Sequence, residues 1–542
     1  MAILTTIPQP STSSYLHFIL AAVVSITVLH LARVYWRLRH IPGPLLCKFT
    51  NQRRVAWVKT KRAHEIHHDL HEQYGEVVQL GPNMVSVSNP AYIPILYPIR
   101  PGFPKSNFYR TLMPYTRSGG ALPAVFNTRD EGLHKKIKSP IAPFYSLTNV
   151  LPLEGFVDET VQVMVSQLDA RFAATNKEFD LGDWLQYFAF DVMGTLTFSK
   201  RYGFLEQGRD VDGMLGTIWT FMMNAAPMTQ IPWFDELWYK NRVASFFRGR
   251  QTGFSILRIV GKYVAERREA RERGLAQAGS DGKHGNGDGY GQGEERKSKQ
   301  EKKKKDMLER FFEVQASTPS LPPWCVTAWT FSNIIAGSDS TAVVLRTIWY
   351  NLLAHPATLD RLREELRSAS SSSSTTKSNT LHIPHWKEVC DLPYLDACIN
   401  EGVRLHPPFC LPLERVVPKG GVMVGNAFLP EGTVVGMSPY VVNRDKVVFG
   451  EDAEAWNPER WMVASEEKRK VMEGSIMTFG AGRRICLGRH ISILEMKKIV
   501  PVLAMRYQFA LIDPKRYTIE NSWFFRQYGI DVRIRKRSDE TA

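Results

Sequence analysis

The stretch Phe479–His490 reads FGAGRRICLGRH. One cysteine, Cys486, stands between Gly482 and Gly488 and two residues after Arg484. A thiolate inside a protein needs compensation, and a metal cation supplies it. Glycines let the backbone adopt positive φ or approach a ligand closely. The N–H groups of such a loop can point at the sulfur and tune its electron donation. The run ISILEMKKIVPVLAMRY that follows has a helical period, so the thiol lies at a helix N-terminus, where the dipole favours an anion. Taken alone, a single cysteine is more often an inert buried side chain than a ligand. The others, Cys47, Cys325, Cys390, Cys398 and Cys410, form no CxxC pair. Six thiols in 542 residues are too sparse for a disulfide framework and suit a reducing compartment.

The whole spacing, F-x-x-G-x-R-x-C-x-G over Phe479, Gly482, Arg484, Cys486 and Gly488, resembles the haem-binding signature of the cytochrome P450 family. The resemblance implies that Cys486 is the proximal ligand of a haem b iron and that Arg484 pairs with a haem propionate. It also implies three further marks upstream. Glu401 and Arg404, inside NEGVRLHPP, are three apart and share a helix face. With Arg460 of NPERW they are expected to form a buried, structural charge cluster that braces the haem loop. IIAGSDSTA, Ile334–Ala342, lies in a long apolar helical pattern and resembles the family's oxygen-activation helix. There a kink at Gly337 would make room for dioxygen, and Asp339, Ser340 and Thr341 would serve proton transfer. Ser340 stands where the family commonly has threonine. His134, Lys138 and Arg415 are the remaining propionate candidates, with Lys138 at a position usually held by arginine and binding as a point charge.

The implied fold is mainly α with small β-sheets, the haem lying between the activation helix and the cysteine loop. Ahead of it Tyr15–Ala32 is apolar for about the 18–20 residues that span a bilayer core. No Lys or Arg precedes it, and Arg33, Arg37 and Arg39 follow. The positive-inside rule leaves the N-terminus lumenal and the rest cytoplasmic. The expected organisation is a lumenal segment 1–14, a transmembrane anchor 15–33, a basic, proline-bearing hinge 34–48 and a catalytic domain 49–542. Two loops, 274–306 and 368–380, are too polar and repetitive to bury a core. VVQLGPNMVSVS, Val77–Ser88, reads as a hairpin, and Arg415–Met437 as short strands.

The net charge is +15, and the low-complexity stretch 266–306, with twelve basic and nine acidic residues, accounts for only +3. The remainder suits an acidic protein partner or anionic lipid. No recognisable zinc-finger or RNA-binding motif supports a nucleic-acid partner. The resemblance implies a single-pass endoplasmic-reticulum monooxygenase supplied with electrons by NADPH-cytochrome P450 reductase, with cytochrome b5 as an accessory donor. The stretch from His406 to Asp445 is similar to the fungal microsomal, pisatin demethylase-like branch. That similarity implies a small lipophilic substrate, a secondary metabolite of terpenoid, polyketide or phenolic type. The pocket is expected from the loop before His134, Phe204–Trp233, the activation helix, Phe409–Leu413 and Trp523–Tyr528. Two rivals remain: a haem-thiolate isomerase or dehydratase acting on a preformed peroxide, and a membrane-held haem protein that binds without turnover.

Overall fold

The computed structural model describes residues 12–100, 102–114, 121–239, 241, 243, 255–281, 305–371 and 381–537. Six helices position the site: α1 (Thr12–Leu38), α2 (Glu131–Lys138), α3 (Leu181–Phe198), α4 (Cys325–Ala354), α5 (Pro393–Leu405) and α6 (Arg489–Arg506). Local signals set their starts. Asp130 caps α2 by accepting from Leu133 N, and Asp180 caps α3 by accepting from Gly182 N. Pro393 opens α5 at a position where no N–H is needed. α4 is apolar nearly all round because it crosses the core, with α3 alongside it and α5 and α6 packed on other faces. Trp329 of α4 donates through Nε1 to Ile137 O at 3.0 Å, which fixes α2 against it.

The hairpin over Val77–Ser88 pairs β1 (Val77–Gly81) with β2 (Met84–Val87) in antiparallel register, Val77 opposite Val87. β2 also pairs in parallel with β4 (Val434–Gly436), and β3 (Arg415–Val416) closes the sheet in the order β1-β2-β4-β3. Its strands are buried on both faces, so they lack the alternation of a solvated hairpin. Smaller sheets take in Val422–Val424 with Ala427–Leu429 and the C-terminal strands.

Three expected boundaries shift. α1 runs past the expected anchor end to Leu38, because the first helix-breaking proline is Pro42. The segment 34–48 is docked rather than a free hinge: Leu38, Ile41 and Cys47 are fully buried, and His40 Nε2 lies 2.9 Å from Phe428 O. Of the loop expected over 274–306, residues 274–281 are helical, since a helix rich in Ala, Arg and Glu continues to Asp281. At its other end Asp306 is buried and caps the helix Met307–Ser317. The helix Pro356–Ser371 likewise covers 368–371. The centres of both expected loops, 282–304 and 372–380, lie outside the described residues, as does most of the lumenal segment, 1–11.

Candidate active site

The cysteine loop is built by its glycines. Gly480 and Gly482 have φ of 67° and 58°. A Cβ on Gly482 would lie 2.0 Å from Tyr97 O, so no other residue fits there. Gly488 has an ordinary φ of −77°, and a Cβ there would make only ordinary contact with Cys486 Sγ at 4.0 Å, so neither backbone nor space demands glycine at this point. Cys486 N donates to Phe479 O at 2.8 Å and closes the turn. Gly488 is the N-cap of α6, and the N–H groups of Gly488 and Arg489 face the sulfur. Burial pushes the thiol pKa up, and these N–H groups with Lys138 work against it. All six cysteines are unpaired, and Cys486 is the one exposed thiol. Its exposure is to an internal cavity of about 290 Å³, on whose wall no other cysteine lies.

The expected brace is assembled. Arg404 donates to Glu401 through Nε and Nη2, both at 2.8 Å, and Arg460 Nε reaches Glu401 Oε1 at 3.0 Å. Trp461 Nε1 and Asn457 N complete the carboxylate's shell at 2.9 and 3.0 Å. Burial pushes the Glu401 pKa up, but the two guanidiniums outweigh it and hold it below the ordinary range. Sequence reasoning missed the connector, Asn443. Its amide donates to Arg404 O at 3.0 Å and to Thr478 Oγ1 at 2.9 Å, and its Oδ1 accepts from Met477 N at 2.9 Å. The cluster thus holds the two residues directly before Phe479.

The basic candidates also converge. His134, Lys138, Arg415 and Arg484 all line the cavity. Arg484 is paired with Glu131 at 2.6 Å, leaving its Nε without a partner. Lys138 Nζ donates to Arg483 O at 2.6 Å. Arg415 Nη1 donates to Tyr109 Oη at 3.0 Å. His134 is buried with Nδ1 unpartnered; burial, then Arg484 and Lys138, lower its pKa to about 3, so it is neutral. Burial likewise lowers the pKa values of Lys138 and Arg484. The buried Lys105, on the same wall, and Glu131, which pairs with Arg484, were not singled out by sequence reasoning.

The activation helix differs from expectation in two respects. Asp339 is not on the cavity wall; it points towards α3, where Gln186 Nε2 donates to its Oδ1. Burial raises its pKa to about 6, against the opposing Gln186 hydrogen bond. The helical phase carries this signal: 337, 340 and 341 share one face, and 339 is turned away. Gly337, Ser340 and Thr341 do line the cavity. Ser340 Oγ bonds Ala336 O one turn back, and Thr341 Oγ1 lies 3.0 Å from Ser492 Oγ on α6. Nor is Gly337 a kink: α4 is continuous, and a Cβ there would meet the Met193 side chain of α3 at 2.4 Å. The opposite wall is aromatic. Phe126 and Phe409 stack at 5.6 Å, with Trp523 edge-on to Phe126 and tilted against Phe409. Each expected pocket segment contributes a wall residue, including Phe221, Met222 and Leu413.

This arrangement fits a haem. A thiol aimed into a cavity, cations with unfilled donors on its rim and an apolar opposite wall suit an iron, two carboxylates and a lipophilic ligand. It is the arrangement of a haem-thiolate oxygenase. The cytochrome P450 family model matches residues 42–527, and the chain belongs to that family. Two curated relatives are 58% identical: cytochrome P450 monooxygenase asR2 of Sarocladium schorii, over 95% of each chain, and cytochrome P450 monooxygenase pkfB of Emericella nidulans, over 99% of each. Cytochrome P450 monooxygenase mpaDE' of Penicillium brevicompactum is 55% identical over 95% of this chain and 57% of its own length. Among solved structures, the haem domain of cytochrome P450DA superposes with a TM-score of 0.66 at 17% identity, over 88% of this chain and 94% of that one. The protein is a cytochrome P450 monooxygenase of fungal type, and the family's cofactor is a haem with a cysteine thiolate ligand.

Proposed function

We propose that Cys486 is the thiolate ligand and that the enzyme inserts one oxygen atom of O2 into a small lipophilic substrate, a secondary metabolite. The observation that carries this is the placement of Cys486, alone among the cysteines, on the cavity wall with two backbone N–H groups at its sulfur. In total, R–H, O2, two electrons and two protons give R–OH and water. Bound in the cavity, the haem supplies the activation of dioxygen. The chain's own residues supply the rest. The N–H groups of Gly488 and Arg489 stabilise negative charge on sulfur. His134, Lys138, Arg415 and Arg484 hold the carboxylates, and Glu401, Arg404 and Arg460 fix the loop through Asn443. Ser340 presents a hydroxyl to the cavity, and Asp339, one residue away, holds a proton that titrates near neutrality. The aromatic wall excludes water and binds apolar rings.

The apolar part of α1 over residues 15–30, uncovered by the rest of the protein, supports an endoplasmic-reticulum anchor with the catalytic domain cytoplasmic. The surplus of surface cations supports electron delivery by NADPH-cytochrome P450 reductase, with cytochrome b5 as accessory. The test joins two measurements. Reduced protein under carbon monoxide should show the red-shifted Soret band of thiolate-ligated haem, and Cys486→Ser should abolish it; an unchanged band would refute the ligand assignment. Product formation should require NADPH, reductase and O2. Turnover of a peroxide without them would favour the isomerase reading.

A further inference from the structure

Among the described residues, the acid of the activation helix has one hydrogen-bonding side chain beside it, and that side chain is not a cation. Gln186 of α3 is 5% exposed, and its Nε2 donates to Asp339 Oδ1. Asp339 Oδ2 is buried and has no partner. The two guanidiniums whose charge reaches this carboxyl are committed elsewhere. Arg346, two turns further along α4, donates through Nε to Gly182 O at 2.9 Å, and its Nη2 lies 3.8 Å from Asp183. Arg526, on the strand Phe524–Tyr528, lies over the rings of Trp219 and Tyr528 at 5.1 and 5.5 Å. Asp210 opposes them. Its two oxygens accept from Leu215 N and Gly216 N, each at 3.0 Å, at the start of the helix Met214–Met228.

The kind of partner sets what the acid can do. A cation in contact would favour the ionised carboxylate and hold it below its ordinary range, as the two guanidiniums do for Glu401. A neutral amide fixes one oxygen without adding a full charge. Burial then outweighs it, and the carboxyl titrates at about 6. An amide nitrogen only donates, so it occupies Oδ1 as an acceptor and leaves the proton to Oδ2. Ser340, the next residue, lines the cavity. On the other side the seam between α3 and α4 is polar from the surface inward: the Asp183 side chain is 60% exposed, Arg346 lies between Asp183 and Gly182, and Gln186 follows one turn along α3. We infer that Gln186 is a positioning residue for oxygen insertion: it binds Asp339 by one oxygen, keeps the proton on the other, and turns the acid towards a seam through which solvent replaces that proton. The inference rests on the proton-donor role given to Asp339 above. In this step H+ leaves Asp339 Oδ2 for the reaction and another H+ returns from water; no electron or heavy atom moves.

The test uses the full-length holoenzyme and a first readout that needs no substrate. The infrared carbonyl stretch of a protonated carboxyl, assigned by its disappearance in Asp339→Asn, gives the titration midpoint of this group directly. Gln186→Met removes a donor that favours the ionised form, so the midpoint should rise by about one pH unit. Gln186→Lys adds a cation, so the midpoint should fall by about one unit or more. A side chain with only a packing role would move it in neither direction. At pH 7 the protonated share should pass from about one in ten to about one half in Gln186→Met, and to about one in a hundred in Gln186→Lys. The second readout is the share of NADPH electrons that leaves as hydrogen peroxide when the enzyme is mixed with reductase and O2. That share should rise severalfold in Gln186→Lys, rise in Asp339→Asn, and rise no further when the two are combined. Should Gln186→Lys not fold, Gln186→Asn, whose amide falls one methylene short, should raise the midpoint less than Gln186→Met does. Midpoints unchanged in every variant would overturn the inference, as would peroxide shares that add in full in the double variant. Midpoints that move while Asp339→Asn leaves the peroxide share unchanged would instead overturn the donor role beneath it.

Discussion

Asp339 shows how burial tunes one side chain for proton work. Lifted to about 6 by its surroundings, its carboxyl is mostly ionised at pH 7 and mostly protonated below pH 6. An acid that gives up a proton during turnover works from its protonated form, so the dependent rate should fall as pH climbs through about 6. Asp339→Asn keeps a hydrogen-bonding group for Gln186 but cannot cycle a proton. We expect kcat to drop by about tenfold or more, with that limb of the pH profile gone and haem content unchanged. Loss of haem instead would make the residue structural. At this scale the sequence disclosed residue types well and directions poorly. Cys486 and Arg484 were readable because five spaced residues carry one chemistry. Glu131 was not, because its partners Arg483 and Arg484 stand hundreds of residues away and only the fold brings them together.

Between elements, the same charges have opposite worth according to burial. Glu401 and Arg404 are wholly inaccessible, and Arg404→Ala would strand a buried carboxylate and remove the hydrogen bond that Arg404 Nη1 donates to Asn443 O. A loss of about 3–5 kcal/mol is expected in urea unfolding, with weaker haem retention. Arg361→Ala, which breaks the exposed pair with Glu459, should cost below about 1 kcal/mol. The α3–α4 contact makes a second prediction. Gly337→Ala drives a methyl into Met193, an overpacking cost of about 1–3 kcal/mol, and adding Met193→Ala should recover part of it. If the double variant is no more stable than the sum of the singles, Gly337 is required for something other than this contact. The helix α4 and the Glu401–Arg404 pair were legible from periodicity, which is local. That glycine's neighbour was not, since helix-on-helix packing leaves no mark in the helix's own sequence. Composition misled at 274–281, where Leu275, Ala276, Gln277 and Ala278 are good helix formers set among Gly, Ser and Asp and extend the helix past its charged run.

Across the whole molecule, two features tie stability to setting. Along the helix Ala63–Tyr74, His64, His67 and His71 are buried neutral, chiefly by desolvation, with pKa values lowered to about 3, 3 and 4. Unfolded, each binds a proton near pH 6.5, so the unfolded chain holds more protons than the folded one between about pH 3 and 6.5. Their contribution is complete above pH 6.5 and is lost as pH falls towards the folded values, on the order of 1–2 kcal/mol per histidine by pH 5. The melting temperature should therefore fall from pH 7 to pH 5, and His67→Phe should flatten the slope; an equal slope in both proteins would sink this account. The second feature is the junction of anchor and domain. Leu38 and Ile41 are fully buried among Val85, Val435 and Met437, while Leu16, Phe18 and Leu20 are exposed. The helix thus ends inside the catalytic domain's own packing, and the place of truncation matters. Removing residues 1–33 should release a soluble protein that keeps its haem and its melting temperature. Removing 1–39 also extracts Leu38, and by analogy with truncating a core leucine it should cost about 2–5 kcal/mol. Equal stability of the two truncations, measured on the detergent-free proteins, would show that Leu38 belongs to the anchor and not to the fold.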